Sequence, residues 1–318
     1  MTPFRQRETV QSELSALKAL LLATPADPFA TPMLKDRIKE LESSLVALEK
    51  RPSLAPEAEI FFEDGPTMGS EGIEVTFTSH ILDSYQNMLT NHYAAKHYGI
   101  LRKSGRRRGE GDTKLYLTAL PRGSFGLQLA RPHVHDWVAA QNLSTVMQEI
   151  SGLIAASAKS DQAFDASLNT FNPRVLPPLQ RFIDALFTTK ASCRVVTGDQ
   201  ETKLDSHQVE EAYARVTAAK QREEIIDLPG MFGGVLTLSL EFEFRPDHGD
   251  LIRGPLADEI TEHTATEWAL RLTHTHTVAK LKRLTVSTRS GDKKPSYELL
   301  GLKESGRVPV KGSHPPKK

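Results

Sequence analysis

The chain is poor in the residues that decide several classes of protein at once. It has a single cysteine, Cys193, among 318 residues, so neither an intramolecular disulfide nor a multi-thiolate zinc site can form. It has no excess of charge: 40 lysines and arginines stand against 40 aspartates and glutamates. Any preference for nucleic acid or a membrane surface must therefore be local. No uncharged apolar run reaches the roughly 18 residues that a spanning helix needs. Met1-Thr2-Pro3 shows no signal-peptide pattern, and with the lone cysteine this leads to the expectation of a cytoplasmic protein with no membrane partner. What is present, 39% hydrophobic and 25% charged residues, is the composition of a globular chain, and its length suits two or three domains.

Val10, Leu14, Leu17 and Leu21 recur at steps of four, three and four, and Leu34, Ile38, Leu41, Leu45 and Leu48 repeat the pattern. That spacing is the seam of helices packed on one another. Between the two ladders, Pro25, Pro28 and Pro32 interrupt helix formation. The pattern predicts an antiparallel, coiled-coil-like helical hairpin over residues 1–51. Helices of this length draw most of their stability from packing, so the nine ladder residues are expected to be covered by the rest of the chain, by a second copy or by a partner protein.

A central α+β domain is expected over 57–222. Glu59 to Glu63 and Ile73 to Phe77 are strand candidates, followed by a helix with Ser79 as its N-cap and Ile81, Tyr85, Leu89 and Tyr93 on one face. Lys114 to Leu120 and Ser124 to Leu129 alternate around Pro121-Arg122-Gly123 and predict a hairpin, with Leu115, Leu117 and Ala119 on one face of its first strand. Helices are expected from Val134 to about Thr188, one of them started by Pro177-Pro178. A strand at Cys193 to Thr197 and a helix from His207 capped by Ser206 complete the region. Short strands from Glu224 onward, with a helix near Ala257 to Glu267, predict a small β-barrel of the SH3-like or OB-like kind over 223–303, and 304–318 reads as a flexible basic tail. The fold class expected is α+β.

Taken together, the hairpin, Gly69-Ser70-Glu71-Gly72-Ile73-Glu74-Val75-Thr76-Phe77, Arg122-Gly123-Ser124-Phe125-Gly126-Leu127-Gln128-Leu129 and the Gly233 to Gly254 run resemble a family of uncharacterised bacterial proteins. The resemblance covers most of the chain. It implies a cytoplasmic bacterial protein of a kind associated with mobile elements and antiviral defence genes, and it carries over no catalytic residue. The Gly-Ser-Phe-Gly run itself reads as a hairpin whose glycines relieve crowding or permit positive φ.

Chemistry-bearing patterns are sparse. Arg102-Lys103-Ser104-Gly105-Arg106-Arg107-Arg108 is a cationic loop that could neutralise phosphates. Lys282, Arg283, Lys293 and Lys294 add a basic cluster on the expected barrel. These nine residues are the candidate nucleic-acid contacts; a solvated loop is the plainer reading, and the lack of interleaved aromatics argues against single-strand stacking. His133-Val134-His135 and His274-Thr275-His276 have a spacing a metal can use but lack a third ligand nearby. Cys193 reads as a core residue. Ser124 sits between strands, whereas a nucleophile elbow joins strand to helix. Gly230 to Gly234 lacks the lysine and serine of a phosphate loop. Glu57, Glu59, Glu63, Asp64 and Glu71 form an acidic stretch that could complement the basic loop.

No catalytic residue, metal ligand or cofactor is assigned. The expectation is a non-catalytic assembly or adaptor component of a bacterial multi-protein system, using the hairpin for self-association or partner docking. A nucleic-acid-binding module is the alternative. An enzyme of unfamiliar type, gathering groups such as Asp199, Glu201 and His207, is a third.

Overall fold

The computed structural model describes residues 3–23, 30–49, 56–69, 71–99, 109–121, 125–132, 134, 136–236, 240–257 and 259–305. Among these the chain is mixed α+β, with eight α-helices and a curled half-barrel sheet. It divides into two compact units. Met1–His97, Arg106–Ala219 and Thr288–Gly291 make the first; Tyr98–Gly105, Lys220–Ser287 and Asp292–Lys318 make the second.

The first unit begins with α1 (Pro3–Ala23) and α2 (Ala30–Glu49), two helices where the leucine ladders predict them. They pack on each other, with Lys18 Nζ 2.8 Å from Glu42 and Arg37 Nη2 2.8 Å from Glu13. Next come β1 (Glu57–Glu63), the short β2 (Thr67–Met68) and β3 (Gly72–Ile73), and α3 (Val75–Tyr98). A 3-10 turn (Glu110–Thr113) leads to β4 (Tyr116–Ala119), β5 (Phe125–Ala130), α4 (Trp137–Lys159) and α5 (Asp161–Leu168). Then follow α6 (Leu176–Thr189), β6 (Ser192–Thr197), β7 (Gln200–Leu204) and α7 (Ser206–Ala218).

Five of these strands form an antiparallel sheet in the order β4-β5-β1-β6-β7. Strand β1 lies in the middle, and Ala58 to Phe62 are all buried. Apolar side chains on both faces, Ile60 and Phe62 on one and Phe61 on the other, suit a strand covered on both faces, and Glu59 is buried among them. Leu143, Val146, Met147, Ile150 and Ile154 are buried along one stripe of α4, which packs against the sheet. Phe62 meets Phe77 of α3 edge to face at 5.1 Å. On the neighbouring strand Gly126 stands opposite Phe61, and a Cβ there would come within 2.6 Å of the ring. This glycine of the Gly-Ser-Phe-Gly run therefore relieves crowding beside a buried aromatic.

Several boundaries differ from the sequence reading. Only Gly72–Ile73 is strand, and α3 has already begun at Val75. Phe77, Ile81, Tyr85, Met88 and Leu89 are buried while Val75 is exposed, so helical period overrides a short alternating run. Ser79 is not the N-cap; its hydroxyl donates to the Thr76 carbonyl inside the helix. Asp205 rather than Ser206 caps α7, in a reciprocal box with Gln208. Strand β4 pairs with β5 as expected, but all four of its residues are exposed, because it is the sheet edge.

The second unit is built on β8 (Lys220–Leu236), β9 (Glu241–Pro246), β10 (Ile252–Pro255), α8 (Glu262–Arg271), β11 (His276–Thr288), β12 (Gly291–Asp292) and β13 (Ser296–Glu304). Its sheet runs β10-β9-β8-β11-β12, with β13 also paired to β11. Phe232, Phe242, Phe244, Leu256, Leu281 and Leu299 form the core, with Ala265 of α8 among them. Strand β8 includes Gly230 to Gly234. At Gly230 an added Cβ would lie 2.3 Å from the Arg245 carbonyl, so the glycine allows β8 and β9 to approach closely, and the register shifts between Phe232 and Gly234. Helix α8 starts later than expected, at Glu262, because the Thr261 hydroxyl caps it by accepting from Thr264 N–H at 3.2 Å.

Candidate functional site

The α1–α2 pair is the most distinctive surface of the first unit. Of the nine ladder residues only Ile38 and Leu41 are buried; Val10, Leu14, Leu17, Leu21, Leu34, Leu45 and Leu48 are half-buried. The same two helices expose Leu22 (82%), Met33 (74%), Leu20 (49%) and Val46 (48%). Single exposed leucines are ordinary on a protein surface; it is a contiguous apolar patch that carries meaning. The Arg7 guanidinium of α1 meets the Asp199 carboxylate of the same unit.

The basic candidates fare differently. Arg102, Lys103, Arg106, Arg107 and Arg108 lie outside the described residues. On β11, Lys282 Nζ is bonded to Glu298 at 2.9 Å and Arg283 pairs with Glu224, and each partner raises the pKa of its cation. A phosphate would have to displace these carboxylates. Lys293 is half-buried, and its backbone N–H donates to the Val286 carbonyl; Lys294 is exposed. Within the acidic stretch, Glu63, Asp64 and Glu71 are exposed, whereas the other two are engaged. Glu57 and Glu59 lie within β1, Glu59 is buried, and Glu57 is held up in pKa by burial while it accepts from Gln128 at 3.0 Å.

The remaining chemistry candidates are engaged in structure. His133 and His135 lie outside the described residues. His276 Nε2 is shared between the two Asp247 oxygens at 2.9 and 3.1 Å, and His274 sits in the preceding turn at φ 60° with its N–H on the Phe232 carbonyl. Among the described residues no group of three or more histidine, cysteine, aspartate or glutamate side chains is placed to hold a metal ion. Cys193 is buried, and its thiol is pushed up to about 12 by that burial, which leaves it unreactive as a nucleophile. Asp199 is paired with Arg7, Glu201 with Arg194 at 3.2 Å, and His207 is exposed on α7. No helix among the described residues is long and apolar enough to cross a membrane.

No family model, curated protein or solved structure matches the chain.

One polar cluster was not legible in the sequence. His92 of α3 is 5% exposed, and its Nε2 lies 2.8 Å from Glu149 of α4, which also takes Lys96 Nζ at 2.5 Å. The His92 ring is 4.0 Å from that of Phe171, and its buried Nδ1 has no hydrogen-bond partner among the described residues. Burial lowers the His92 pKa, against the pull of Glu149. For Glu149 burial acts upward, but the bonds from Lys96 and His92 outweigh it and hold the pKa below the usual carboxylate range. The pair is separated by 57 residues, and nothing local in either segment announces it. The cluster ties α3 to α4.

Proposed function

We propose that this chain is a non-catalytic assembly or adaptor component of a bacterial multi-protein system, with α1 and α2 as its docking element. Antiviral defence is the setting that the family resemblance points to, and a cytoplasmic location fits the single cysteine. In this reading the two helices form an antiparallel hairpin, with Val10 beside Leu45, Leu14 beside Leu41, Leu17 beside Ile38 and Leu21 beside Leu34. The second unit is a small barrel of the SH3-like or OB-like kind; a parallel bridge from Leu256 to Leu299 and the bond from Ala257 N–H to the Leu299 carbonyl at 2.9 Å support closure between β10 and β13.

The observation that carries the reading is the exposure of Leu20, Leu22, Met33 and Val46 on helices whose seam is only partly covered. A second copy is the occupant that the sequence favours. Both ladders have the same four-three-four spacing, so two hairpins can interdigitate about a two-fold axis as a four-helix bundle.

Light scattering on the full chain tests this, with Leu22→Glu and Met33→Glu introduced together. The native protein is expected to contain more than one subunit and the double variant one, with circular dichroism unchanged. A native chain that remains single at high concentration, or a double variant with the native subunit count, removes these helices from assembly.

A further inference from the structure

In the first unit, the first half of α3 and the second half of α6 flank a cleft of about 410 Å³, within the range of small-molecule sites. Three carboxylates line it, Glu74, Asp83 and Asp184, against one guanidinium, Arg181. The Arg181 Nη1 to Asp83 Oδ2 distance is 3.7 Å, and both side chains are more than half exposed, so this pair neutralises the cleft only loosely. Glu74 precedes the first turn of α3, where the helix dipole offsets part of its charge. Asp184 makes no ion pair or side-chain hydrogen bond among the described residues. Phe77 and Ala185 add apolar lining.

Acidic residues alone do not make a site; Ser84 supplies the second observation. It is 1% exposed, it lines the cleft, and its hydroxyl makes no hydrogen bond among the described residues. Of the buried serines of α4, Ser151 donates to the Met147 carbonyl and Ser157 to that of Ile154, while Ser144, like Ser84, makes no hydrogen bond among the described residues but does not line this cleft. The Ser84 oxygen is not fully closed off from solvent, so with no protein partner it is open to a ligand or water in the cleft. Ser84 is available to a ligand at the inner end of the cleft, while the exposed Asp83 and Asp184 stand at its mouth. His80, one turn earlier on the same face of α3, also lines the cleft.

We propose that this cleft binds a small organic cation of the aliphatic polyamine class. One ammonium group would sit between Asp83 and Asp184, the methylene chain would run over Phe77 and Ala185, and a second ammonium group would donate to the Ser84 hydroxyl. The carboxylates provide charge-assisted hydrogen bonds, and the buried hydroxyl selects for a donor at a fixed distance from them.

Isothermal titration of the full chain with spermidine at low ionic strength, and separately with inorganic phosphate, tests this. Saturable one-to-one spermidine binding is expected, with no phosphate binding. Asp184→Asn is expected to weaken it about tenfold, the worth of one hydrogen bond to a charged group. Ser84→Leu, which fills the cleft, is expected to abolish it, and Asp227→Asn on the second unit should have no effect. Should Ser84→Leu fail to fold, Ser84→Ala removes only the hydroxyl and is expected to weaken binding several-fold. Spermidine heats that do not saturate, an affinity unchanged by Asp184→Asn, or phosphate binding in preference to spermidine each overturn the proposal.

Discussion

Strand β1 and the α1–α2 pair are both written in apolar residues, yet the fold treats them differently. In β1 five consecutive residues, Ala58 to Phe62, are buried. In the helical pair two of nine ladder residues reach that state. A central strand finds cover on both faces and hydrogen-bonded neighbours on both edges, whereas two helices packed on each other cover one stripe apiece and leave the rest to another surface. The first arrangement is complete within one unit. The second leaves apolar side chains in contact with solvent.

Mutation can break that contrast. Phe62→Ala empties a fully enclosed site beside Phe77 and is expected to cost about 3–5 kcal/mol in urea denaturation of the full chain. Leu41→Ala is expected to cost less, near about 2 kcal/mol, since its surroundings are half wet and can collapse. Equal losses at the two positions would show the helical pair to be as enclosed as the sheet.

Acid sharpens it next. Both His92 and Glu149 have pKa values below their ordinary ones in the folded state, so the unfolded chain takes up protons first as pH falls. The His92 contribution is present above about pH 6.5 and is lost below it; the Glu149 contribution is lost further down, below about 4.5. Denaturation midpoints from pH 8 to 5 should therefore fall, with a slope from His92 of no more than about 1.4 kcal/mol per pH unit. His92→Gln should flatten that slope, and an unchanged slope would show that the buried imidazole is not its source. The smallest effect belongs to the second unit. Lys282→Ala opens a part-buried ion pair with Glu298 and is expected to cost about 1 kcal/mol by the same denaturation assay.

Much of the architecture was legible because it is written in local periodicity. The ladders of α1 and α2, the apolar run of β1, the Pro177-Pro178 start of α6 and the strand at Cys193 to Thr197 follow from spacing and from turn chemistry. Short-range rules failed where two segments compete for the same residues. Ile73 to Phe77 alternates like a strand but is drawn into α3 because Phe77 belongs to the buried helical face, and Gly230 to Gly234 has the composition of a loop but lies in β8 because β9 passes too close for side chains. The candidate surface divides in the same way. The ladder residues were found from spacing, whereas the exposed Leu22 and Met33 stand out only once the helices have faces.

By itself, the sequence determined which segments are apolar, with what period and between which breakers, and hence most of the helices and strands, because those depend on neighbours a few residues away. Which charges are neutralised over long separations was decided by tertiary structure. Lys282 and Glu298, His92 and Glu149, and Arg7 and Asp199 are brought together across 16, 57 and 192 residues. The hydroxyl of Ser84 is left over for the same reason: hydrogen bonds and ion pairs act within a few ångströms, and only the folded chain sets those distances.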